Sequence, residues 1–404
     1  MARKKENQKA YDVVIIGGLG HVGLPLGLVL AEKGLKVCLY DKDLKNAELV
    51  KNGVMPFIDY GAESILKKLI KKKDALTIST DIGEVSNARY VIIAIGTPVD
   101  EYLNPNVRIF LELFSGIKEY LRKNQTIIIR STIYPRTCQQ IIKIIGKGMQ
   151  LAYCPERIAQ GYAIRELKKL PQLVAGITPK AQNNAAKLFS LIAPKVIKTS
   201  MENAELAKLF SNAWRYIEFS IANQFYMIAS DFNLDFNRIR QVMIDGYGRA
   251  YDIPTAGFTA GPCLLKDTMQ LAAFNNNNFF LGHAAMMVNE GLPNYIVENL
   301  RNQYNISKKK IGILGMAFKA DIDDTRDSLS FKLGKILRFH GVKVFYSDEY
   351  AKDPTFISKK QLVKTCDIII VGVPHSAYKK IKFPDKVIII DLWGITNRKS
   401  RKLL

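Results

Sequence analysis

The stretch Val13-Val14-Ile15-Ile16-Gly17-Gly18-Leu19-Gly20-His21-Val22-Gly23 decides the fold, because an apolar, β-branched run enters three glycines spaced G-x-G-x-x-G. A helical pattern follows over residues 24–32. In such a strand, turn and helix, the first glycine permits a tight turn, the second lets a pyrophosphate approach the backbone, and the third allows close helix packing. The free N–H groups at the start of the helix then face the phosphates. The stretch therefore predicts a dinucleotide site.

An acidic residue stands where such a site needs one. The predicted strand Lys36–Tyr40 ends at Asp41, about 20 residues past the glycines, where a carboxylate hydrogen-bonds the ribose hydroxyls of NAD rather than NADP. Thr97 and Thr132 follow two later predicted strands, at the edge where open α/β sheets bind ligands. We predict NAD as the cofactor, with contacts at Gly18, Gly20, His21, Val22, Gly23, Asp41, Thr97 and Thr132.

The hydrophobic pattern divides the chain into three regions. Up to about residue 200, β-branched runs alternate with amphipathic stretches, and we predict strands at Val13–Ile16, Lys36–Tyr40, Tyr90–Ile95 and Thr126–Arg130. From Met201 to Phe232 apolar residues recur at helical spacing without glycine or proline, which predicts one long helix that offers a dimer surface. The alternation then returns, with strands predicted at Lys310–Leu314, Val342–Tyr346, Asp367–Val373 and Lys386–Ile390.

This order of elements predicts an α/β protein with two Rossmann-like, doubly wound parallel-sheet domains joined by a central helical domain. A chain of 404 residues suits roughly two to three domains. We predict an NAD-binding domain over residues 1–200, a central helical and dimerisation domain over 201–304, and a second Rossmann-like domain over 305–404. Leu329–Phe339 is predicted as a helix of the last domain.

Composition narrows the possible partners. The chain has no apolar run as long as a membrane span and no apolar stretch typical of a signal peptide near its start, so we expect a cytoplasmic protein without a membrane partner. The net charge of +22 lies partly in short runs such as Lys71–Lys73, which we interpret as solvated surface. Aromatic residues are not interleaved with these runs, so we expect no nucleic acid. The five cysteines and four histidines lack metal-ligand spacing, so no metal is expected, and His375 is interpreted as a local hydrogen-bonding residue.

The run Gly261-Pro262-Cys263-Leu264-Leu265-Lys266-Asp267-Thr268 carries uncommon chemistry. A thiol becomes a nucleophile when a nearby cation lowers its pKa, and Lys266 is within one helical turn of Cys263. Asp267 can transfer protons or hold a partner in position. A cysteine alone would more often be a buried structural thiol. Beside the dinucleotide site, the run predicts a dehydrogenase that also bonds covalently to its substrate.

Two further segments carry candidate catalytic groups. Glu156, in Tyr153-Cys154-Pro155-Glu156-Arg157, follows an apolar run and could position water or accept a proton, although a surface ion pair is the simpler interpretation. Lys208 and Asn212 are four residues apart on the long predicted helix and so share one face. A lysine and an amide on one face can donate to a developing oxyanion.

At these motifs the chain resembles the NAD-dependent UDP-sugar 6-dehydrogenases, which include the UDP-glucose and UDP-N-acetylhexosamine enzymes. The resemblance extends from Gly18 to Asp391 and rests on Ser131-Thr132, Pro155-Glu156-Arg157 with Gly161, Glu205 with Lys208 and Asn212, Cys263 with Lys266-Asp267, and Phe318-Lys319 with Asp323-Asp324 and Arg326. It implies that NAD binds in the first domain and UDP in the last, that the enzyme is a homodimer, and that the product serves polysaccharide biosynthesis.

The resemblance implies a two-step, four-electron oxidation of the sugar C6 alcohol to a uronic acid, through a thiohemiacetal and a thioester. The catalytic residues that it implies are Cys263, Lys208, Asn212, Asp267, Glu156 and Thr132. The first is the nucleophile, the next two stabilise oxyanions, and the last three organise water and shuttle protons. The substrate contacts that it implies are Glu156, Arg157, Lys208, Asn212, Arg249, Lys266, Lys319 and Arg326, with Arg249 reaching across the dimer.

Three alternatives stay open on the sequence. The sugar is unresolved, because the Pro-Glu-Arg segment resembles the amino-sugar enzymes whereas Cys-x-x-Lys-Asp resembles the UDP-glucose enzymes; we favour a UDP-N-acetylhexosamine. A single-step NAD-dependent β-hydroxyacid dehydrogenase would also pair a dinucleotide domain with a helical domain, but it leaves the α/β region from Lys309 to Asp391 without a role. A basic nucleic-acid-binding protein that senses NAD is the third.

Overall fold

The structure is a computed structural model that describes residues 10–97, 99–100 and 105–396. The chain divides into two compact units, Met1–Phe210 and Ser211–Leu404. The three domain ranges expected from the sequence stay predictions. The part of the chain described here contains no helix that is both long and apolar enough to cross a membrane.

The first unit alternates strands and helices. Its elements are β1 Tyr11–Ile16, α1 Gly23–Glu32, β2 Val37–Tyr40, α2 Leu44–Lys51, α3 Ala62–Ile70, β3 Leu76–Ser79, β4 Ala88–Ile93, α4 Val107–Ile117, β5 Thr126–Ile129, α5 Thr137–Ile145, β6 Gln150–Tyr153, α6 Ala163–Leu167, β7 Gln172–Gly176, α7 Pro179–Phe189, β8 Val196–Lys198 and the beginning of α8 Met201–Asp231. Short 3-10 turns lie at Ile82–Asn87 and Lys118–Tyr120.

These strands form one sheet in the order β3-β2-β1-β4-β5-β6-β7-β8. Neighbouring strands are parallel, as the sequence predicts, except for the antiparallel pair β6 and β7. A parallel pair needs a crossover connection, usually a helix. The segment between β6 and β7 contains only the five-residue helix α6, so β7 runs in the opposite direction. The prediction of a parallel sheet is thus confirmed with one exception.

The sheet is covered on both faces. Successive side chains of a strand point to opposite faces, and Val13 and Ile15 of β1 belong to one buried cluster while Val14 and Ile16 belong to another. The first cluster includes the apolar residues of α1, and the second includes those of α4 and α5. This arrangement fixes the carboxyl ends of β1, β2, β4 and β5 along one edge of the sheet, where the glycine loop lies.

The second unit combines helices with a smaller sheet. After the remainder of α8 its elements are α9 Phe236–Ile244, α10 Leu264–Phe274, α11 Phe280–Gln303, β9 Lys310–Leu314, α12 Leu329–Phe339, β10 Lys343–Ser347, α13 Lys359–Thr365, β11 Ile368–Val371 and β12 Ile388–Ile390. Short 3-10 turns lie at Gly248–Ala250, Ile306–Lys308 and Ser376–Lys380. The strands are all parallel, in the order β10-β9-β11-β12.

The second sheet repeats the arrangement β2-β1-β4-β5 of the first, so the prediction of a second Rossmann-like sheet is confirmed. Leu292 and Ile296 of α11 belong to the same buried cluster as Ile311 and Ile313 of β9. The helices and the sheet of this unit therefore share one core. The predicted long helix is α8, which has 31 residues.

Candidate active site

The glycine loop joins β1 to α1 by close backbone contacts. Gly17 has a φ of +77°, and its N–H and that of Gly18 donate to Tyr40 O. A Cβ on Gly18 would lie 2.8 Å from the Cα of Leu39, and one on Gly23 would lie 2.1 Å from Gly17 O. We expected the first glycine of the fingerprint, Gly18, to permit the tight turn, but the left-handed residue of that turn is Gly17. Gly18 and Gly23 lack room for a Cβ because other backbone atoms pass close to them.

The start of α1 suits an anionic ligand. Val22 precedes the helix and gives no side-chain cap, and the first turn has no acidic residue. Pro25 lies in that turn and has no N–H to satisfy. Gly20 is less crowded than Gly18 and Gly23, because a Cβ there would make only an ordinary contact with Gly17 O, at 3.6 Å. Leu24 N donates to Gly20 O and Leu26 N donates to Val22 O, so the fit to the pyrophosphate of NAD rests on the positive end of α1 and the space beside Gly20.

Asp41 lies beside this loop. Its Oδ2 accepts a hydrogen bond from Leu19 N at 3.1 Å, and its Oδ1 accepts one from Asp43 N at 3.2 Å. A carboxylate has about four acceptor sites, so this geometry leaves capacity for a ribose diol. The rings of His21 and Phe57 contact each other, with centroids 4.0 Å apart and planes tilted by 41°.

A hydrogen bond joins the ends of two neighbouring strands next to the glycine loop. Ser131, just past β5, donates from Oγ to Ile95 O at 2.6 Å, just past β4. Thr97 and Thr132 follow these two positions and are both half-buried. Their placement at the carboxyl ends of adjacent parallel strands is where open sheets bind ligands.

Glu156 forms an ion pair that is buried rather than at the surface. Arg130 is 1% exposed, and its Nη2 donates to Glu156 Oε2. Glu156 Oε1 accepts from the N–H groups of Arg157 at 2.6 Å and Ile158 at 2.8 Å. Both carboxylate oxygens are thus engaged, and the ion pair expected at the surface is in fact buried. The signal for it is an arginine that directly follows a buried strand, since a buried charge must be paired.

Lys208 is a buried cation at the end of the first unit. It is 8% exposed, and among the described residues of that unit no side chain accepts a hydrogen bond from its ammonium or forms an ion pair with it. Glu205, one turn earlier in α8, is 2% exposed and accepts from Arg136 N at 2.7 Å. Burial raises the pKa of Glu205 above its ordinary value, although hydrogen bonds from Arg136 and Cys138 oppose that shift.

Cys263 lies at the start of α10 in the second unit. It is exposed, whereas Cys38, Cys138, Cys154 and Cys366 are buried. The carbonyl of Cys263 accepts from Asp267 N at 2.8 Å in the first turn of the helix. A helix N-terminus favours negative charge, so this position suits a thiolate.

Asp267, Asn212 and Lys266 form a cluster next to this turn. Asn212 Nδ2 donates to Asp267 Oδ2 at 2.6 Å, and both residues are buried. Asp267 Oδ1 lies 3.7 Å from Lys266 Nζ and accepts no hydrogen bond from the described residues. A buried carboxylate oxygen without a donor suits a bound water, and the amide of Asn212 retains a second N–H.

The loop between β9 and α12 packs against the cysteine turn. Gly261 has a φ of +99°, and a Cβ there would lie 2.5 Å from the ring of Phe318. Arg326 in this loop donates to both oxygens of Asp324, at 2.6–3.0 Å. The hydrogen bonds with Asp324 raise the pKa of Arg326, and negative charge on Cys263 acts in the same direction. Arg326 therefore favours the thiolate in return.

The predicted site residues fall into two groups. In the first unit, the NAD residues and Thr132 lie along the carboxyl edge of the sheet, Glu156 and Arg157 lie just past β6, and Lys208 is on α8. The second unit brings together Asn212, Lys266, Asp267, Cys263 and Arg326. Lys319 is in the same loop as Arg326 and is half-buried, whereas Arg249 lies on an exposed 3-10 turn. The described residues contain no cluster of metal-binding side chains.

Comparisons with known proteins agree with this organisation. Residues 12–193 match the NAD binding domain of the UDP-glucose/GDP-mannose dehydrogenase family, residues 202–290 its central domain, and residues 312–398 its UDP binding domain. A UDP-N-acetyl-D-mannosamine dehydrogenase of Methanococcus maripaludis is 28% identical over 393 residues, which cover 94% of this chain and 90% of that protein.

Solved structures are similar over the full length. The UDP-D-ManNAc dehydrogenase from Pyrococcus horikoshii matches with a TM-score of 0.86 at 25% identity, over 96% of this chain and 97% of that one. A UDP-glucose dehydrogenase from Pyrobaculum islandicum has the same fold, with a TM-score of 0.84 at 21% identity over 98% and 96% of the chains.

The UDP binding domain decides against a β-hydroxyacid dehydrogenase, because that alternative leaves this region without a role. The UDP binding domain includes nearly all of the second Rossmann-like sheet, so UDP is the ligand of that sheet. The NAD binding domain contains the whole glycine loop. The chain therefore belongs to the UDP-glucose/GDP-mannose dehydrogenase family and is an NAD-dependent UDP-sugar dehydrogenase.

Proposed function

We propose that the protein oxidises C6 of a UDP-N-acetylhexosamine, foremost UDP-N-acetyl-D-mannosamine, to the uronate while Cys263 holds the intermediate covalently. The observation that carries this proposal is an exposed thiol at a helix start, beside the buried pair Asn212–Asp267. The choice of sugar is supported by the relatives named as UDP-N-acetyl-D-mannosamine dehydrogenases and by the Pro-Glu-Arg segment.

The reaction begins with the loss of a hydride and a proton from the C6 alcohol, which leaves an aldehyde. The Cys263 thiolate forms a bond to C6, and the carbonyl electrons move to oxygen, which takes a proton to give a thiohemiacetal. When bound, NAD supplies the acceptor for the hydride that leaves C6 in each of the two oxidations.

The second oxidation removes a hydride from C6 and the hydroxyl proton, which gives a thioester. Water then adds to the thioester, the bond between C6 and sulfur breaks, and the carboxylate and the thiolate are released. In total one alcohol and one water become one carboxylate, with two hydrides and three protons given up, so atoms and charge balance. Cys263 is regenerated unchanged.

The buried polar groups have separate roles in these steps. Asp267 Oδ1, which accepts no hydrogen bond from the described residues, would hold the hydrolytic water and take its proton. The second N–H of Asn212 and the ammonium of Lys208 would stabilise the oxyanions that form at C6. Thr132 and Glu156 remain candidates for water organisation, and the ion pair with Arg130 makes Glu156 the less available of the two.

Substrate recognition would use the cations of both units. Lys319, Arg326 and Lys266 would contact the UDP and its surroundings, and Arg157 would contribute from the first unit. The diphosphate is an anion that arginine and lysine side chains recognise well. Cytoplasmic location and a role in polysaccharide biosynthesis belong to the same proposal.

A homodimer would complete the site. Trp214, Ile221, Phe225 and Ile228 lie at helical spacing along α8 and are all exposed, and Phe232 follows the end of the helix. A contiguous apolar stripe of this kind marks an interface. We propose that a second copy covers it, and that Arg249 of each copy reaches the nucleotide sugar of the other.

A substrate panel tests the proposal. The purified protein is incubated with NAD and, separately, UDP-N-acetylmannosamine, UDP-N-acetylglucosamine, UDP-N-acetylgalactosamine and UDP-glucose, and the uronate product is identified by mass spectrometry. We expect the highest kcat/KM with UDP-N-acetylmannosamine. A clear preference for UDP-glucose would overturn the choice of sugar, and absence of uronate from all four would overturn the proposal.

A further inference from the structure

A buried histidine links two acidic residues beside the second sheet. His375 follows β11 and is 0% exposed. Its Nε2 lies 3.0 Å from Oδ2 of Asp348, which follows β10, and its Nδ1 lies 2.9 Å from the backbone N of Asp321, in the loop between β9 and α12. The ring therefore bridges a strand end and a loop.

These contacts determine the tautomer of the ring. A backbone N–H can only donate, so Nδ1 of His375 accepts from Asp321 and the ring proton is on Nε2, facing Asp348. Asp348 is held in turn by four backbone N–H groups, at residues 316, 317, 350 and 351. Both ring nitrogens of His375 are thus used, and the ring has one orientation.

Asp321 is the anchored point of the loop. Its φ of +59° is a left-handed conformation that costs a non-glycine residue free energy and has to be held by its surroundings. Its N–H is bound by His375, and its Oδ1 accepts from Ser376 N at 2.8 Å and Ser376 Oγ at 3.0 Å. The segment at residues 375–376 thus holds the middle of the loop at residues 318–327, which we call the anchored loop.

The anchored loop forms one wall of the thiol site. Phe318, at its beginning, donates from N to Asp324 O at 2.9 Å and presents its ring to Gly261. Arg326, near its end, interacts electrostatically with Cys263. A shift in the position of Asp321 therefore affects both the cations of the anchored loop and the wall that this loop forms beside Cys263.

We propose that His375 is a positioning residue for the UDP-sugar, acting through its Nδ1 on Asp321 to hold the anchored loop. This inference rests on the proposed function, because the roles of Lys319 and Arg326 in UDP binding belong to that proposal. His375 itself would contact neither the substrate nor the thiol.

Two substitutions separate the nitrogens of the ring. In His375→Asn the amide oxygen can replace Nδ1 as acceptor for Asp321, whereas in His375→Gln the longer amide replaces Nε2 as donor to Asp348 and leaves Asp321 N–H without an acceptor. We expect His375→Gln to raise KM for the UDP-sugar about tenfold, the effect of one lost hydrogen bond, with kcat and KM for NAD within about threefold. His375→Asn should stay close to the wild type.

Hydrogen exchange on the ligand-free protein gives a readout independent of turnover. Peptides covering the anchored loop should exchange faster in His375→Gln than in His375→Asn or the wild type. Equal KM values and equal exchange in the two variants would overturn the inference. If the wild type oxidises no UDP-sugar, the proposed function fails while the exchange result still decides whether Nδ1 holds the loop.

A milder variant covers the case in which the histidine variants do not fold. Ser376 is exposed, and Ser376→Ala removes only its Oγ bond to Asp321. We expect KM for the UDP-sugar to rise about threefold, since an exposed hydrogen bond contributes less than a buried one. Wild-type KM and wild-type exchange in this variant would also contradict the proposal.

Discussion

At the scale of single residues, Asp267 shows how burial and contacts limit what a carboxylate can do. Its Oδ2 is bound by Asn212, while its Oδ1 accepts no hydrogen bond from the described residues and lies 3.7 Å from Lys266 Nζ. One oxygen is therefore fixed and the other is available. Glu156 differs, because Arg130 and two backbone N–H groups engage both of its oxygens.

Asp41 should determine affinity for NAD without affecting the sugar. We expect Asp41→Ala to raise KM for NAD about tenfold through loss of a ribose hydrogen bond, with KM for the UDP-sugar unchanged. Asp43→Ala is the matched control, since this neighbouring acid caps α2 through Asn46 N and should cost about 1 kcal/mol of stability but leave KM for NAD unchanged. Steady-state kinetics at varied NAD concentration measures KM for NAD in both variants. Equal KM values in Asp41→Ala and Asp43→Ala would contradict the role of Asp41.

Asp348 should stabilise the fold in a pH-dependent way. Burial opposes its ionisation, but hydrogen bonds from His375 and from backbone N–H groups outweigh burial and lower its pKa to about 2. A carboxyl with a depressed pKa stabilises the folded state above its ordinary pKa, and this contribution is lost as pH falls towards 2. The shift corresponds to about 2 kcal/mol.

Urea unfolding at several pH values measures this contribution. Asp348→Asn should lower the free energy of unfolding at pH 7, and its difference from the wild type should shrink between pH 4 and pH 2. Asp353→Asn, which alters an exposed aspartate, serves as the control and should give the smaller difference. A difference for Asp348→Asn that stays constant down to pH 2 would contradict the assignment.

At the scale of elements, the turn before α10 positions the thiol. Gly261→Ala should destabilise the protein, by about 1–2 kcal/mol from its φ of +99° alone, and the contact with Phe318 adds to this. We expect uronate formation to fall as well, because Cys263 is two residues away. Gly291→Ala in α11, where a Cβ meets open space, should instead raise stability by roughly 0.5–1 kcal/mol. Thermal unfolding of the two variants should shift in opposite directions; equal shifts would rule out this account of the turn.

The exposed face of α8 predicts an oligomer. Trp214 is 64% exposed in the stripe, and we expect Trp214→Arg to convert a dimer into monomers because it buries an unpaired charge in the interface. Phe339→Arg is the control, since Phe339 is 86% exposed on α12 and lies outside the stripe. Light scattering coupled to gel filtration measures both. A monomeric wild type, or dimers in both variants, would contradict the proposed interface.

At the scale of the whole molecule, local patterns predicted the elements better than the contacts between them. All eight predicted strands form, with ends shifted by no more than two residues, and α12 has the bounds that its pattern predicted. The strands β3, β6, β7 and β8 were not predicted, because these short strands carry little periodic pattern. The antiparallel direction of β7 also has no local signal.

The site was predictable only where chemistry and spacing coincide in sequence. The segment from Cys263 to Asp267 lies in one turn, so its residues could be named together. Arg130 and Glu156 are 26 positions apart, and Asp321 and His375 are 54 apart. Such pairs depend on the sheet topology, which is why the sequence suggested a surface ion pair at Glu156 and only a local role for His375.

The stoichiometry of NADH distinguishes a covalent two-step oxidation from a single oxidation of the sugar. With limiting UDP-sugar and excess NAD, absorbance at 340 nm is expected to report two NADH per sugar for the wild type, with uronate as the product. Cys263→Ser should give at most one NADH per sugar and lower uronate formation by more than about 10³-fold, because the aldehyde is no longer held as a thiohemiacetal. Two NADH per sugar and an unchanged yield of uronate from Cys263→Ser would contradict the covalent mechanism.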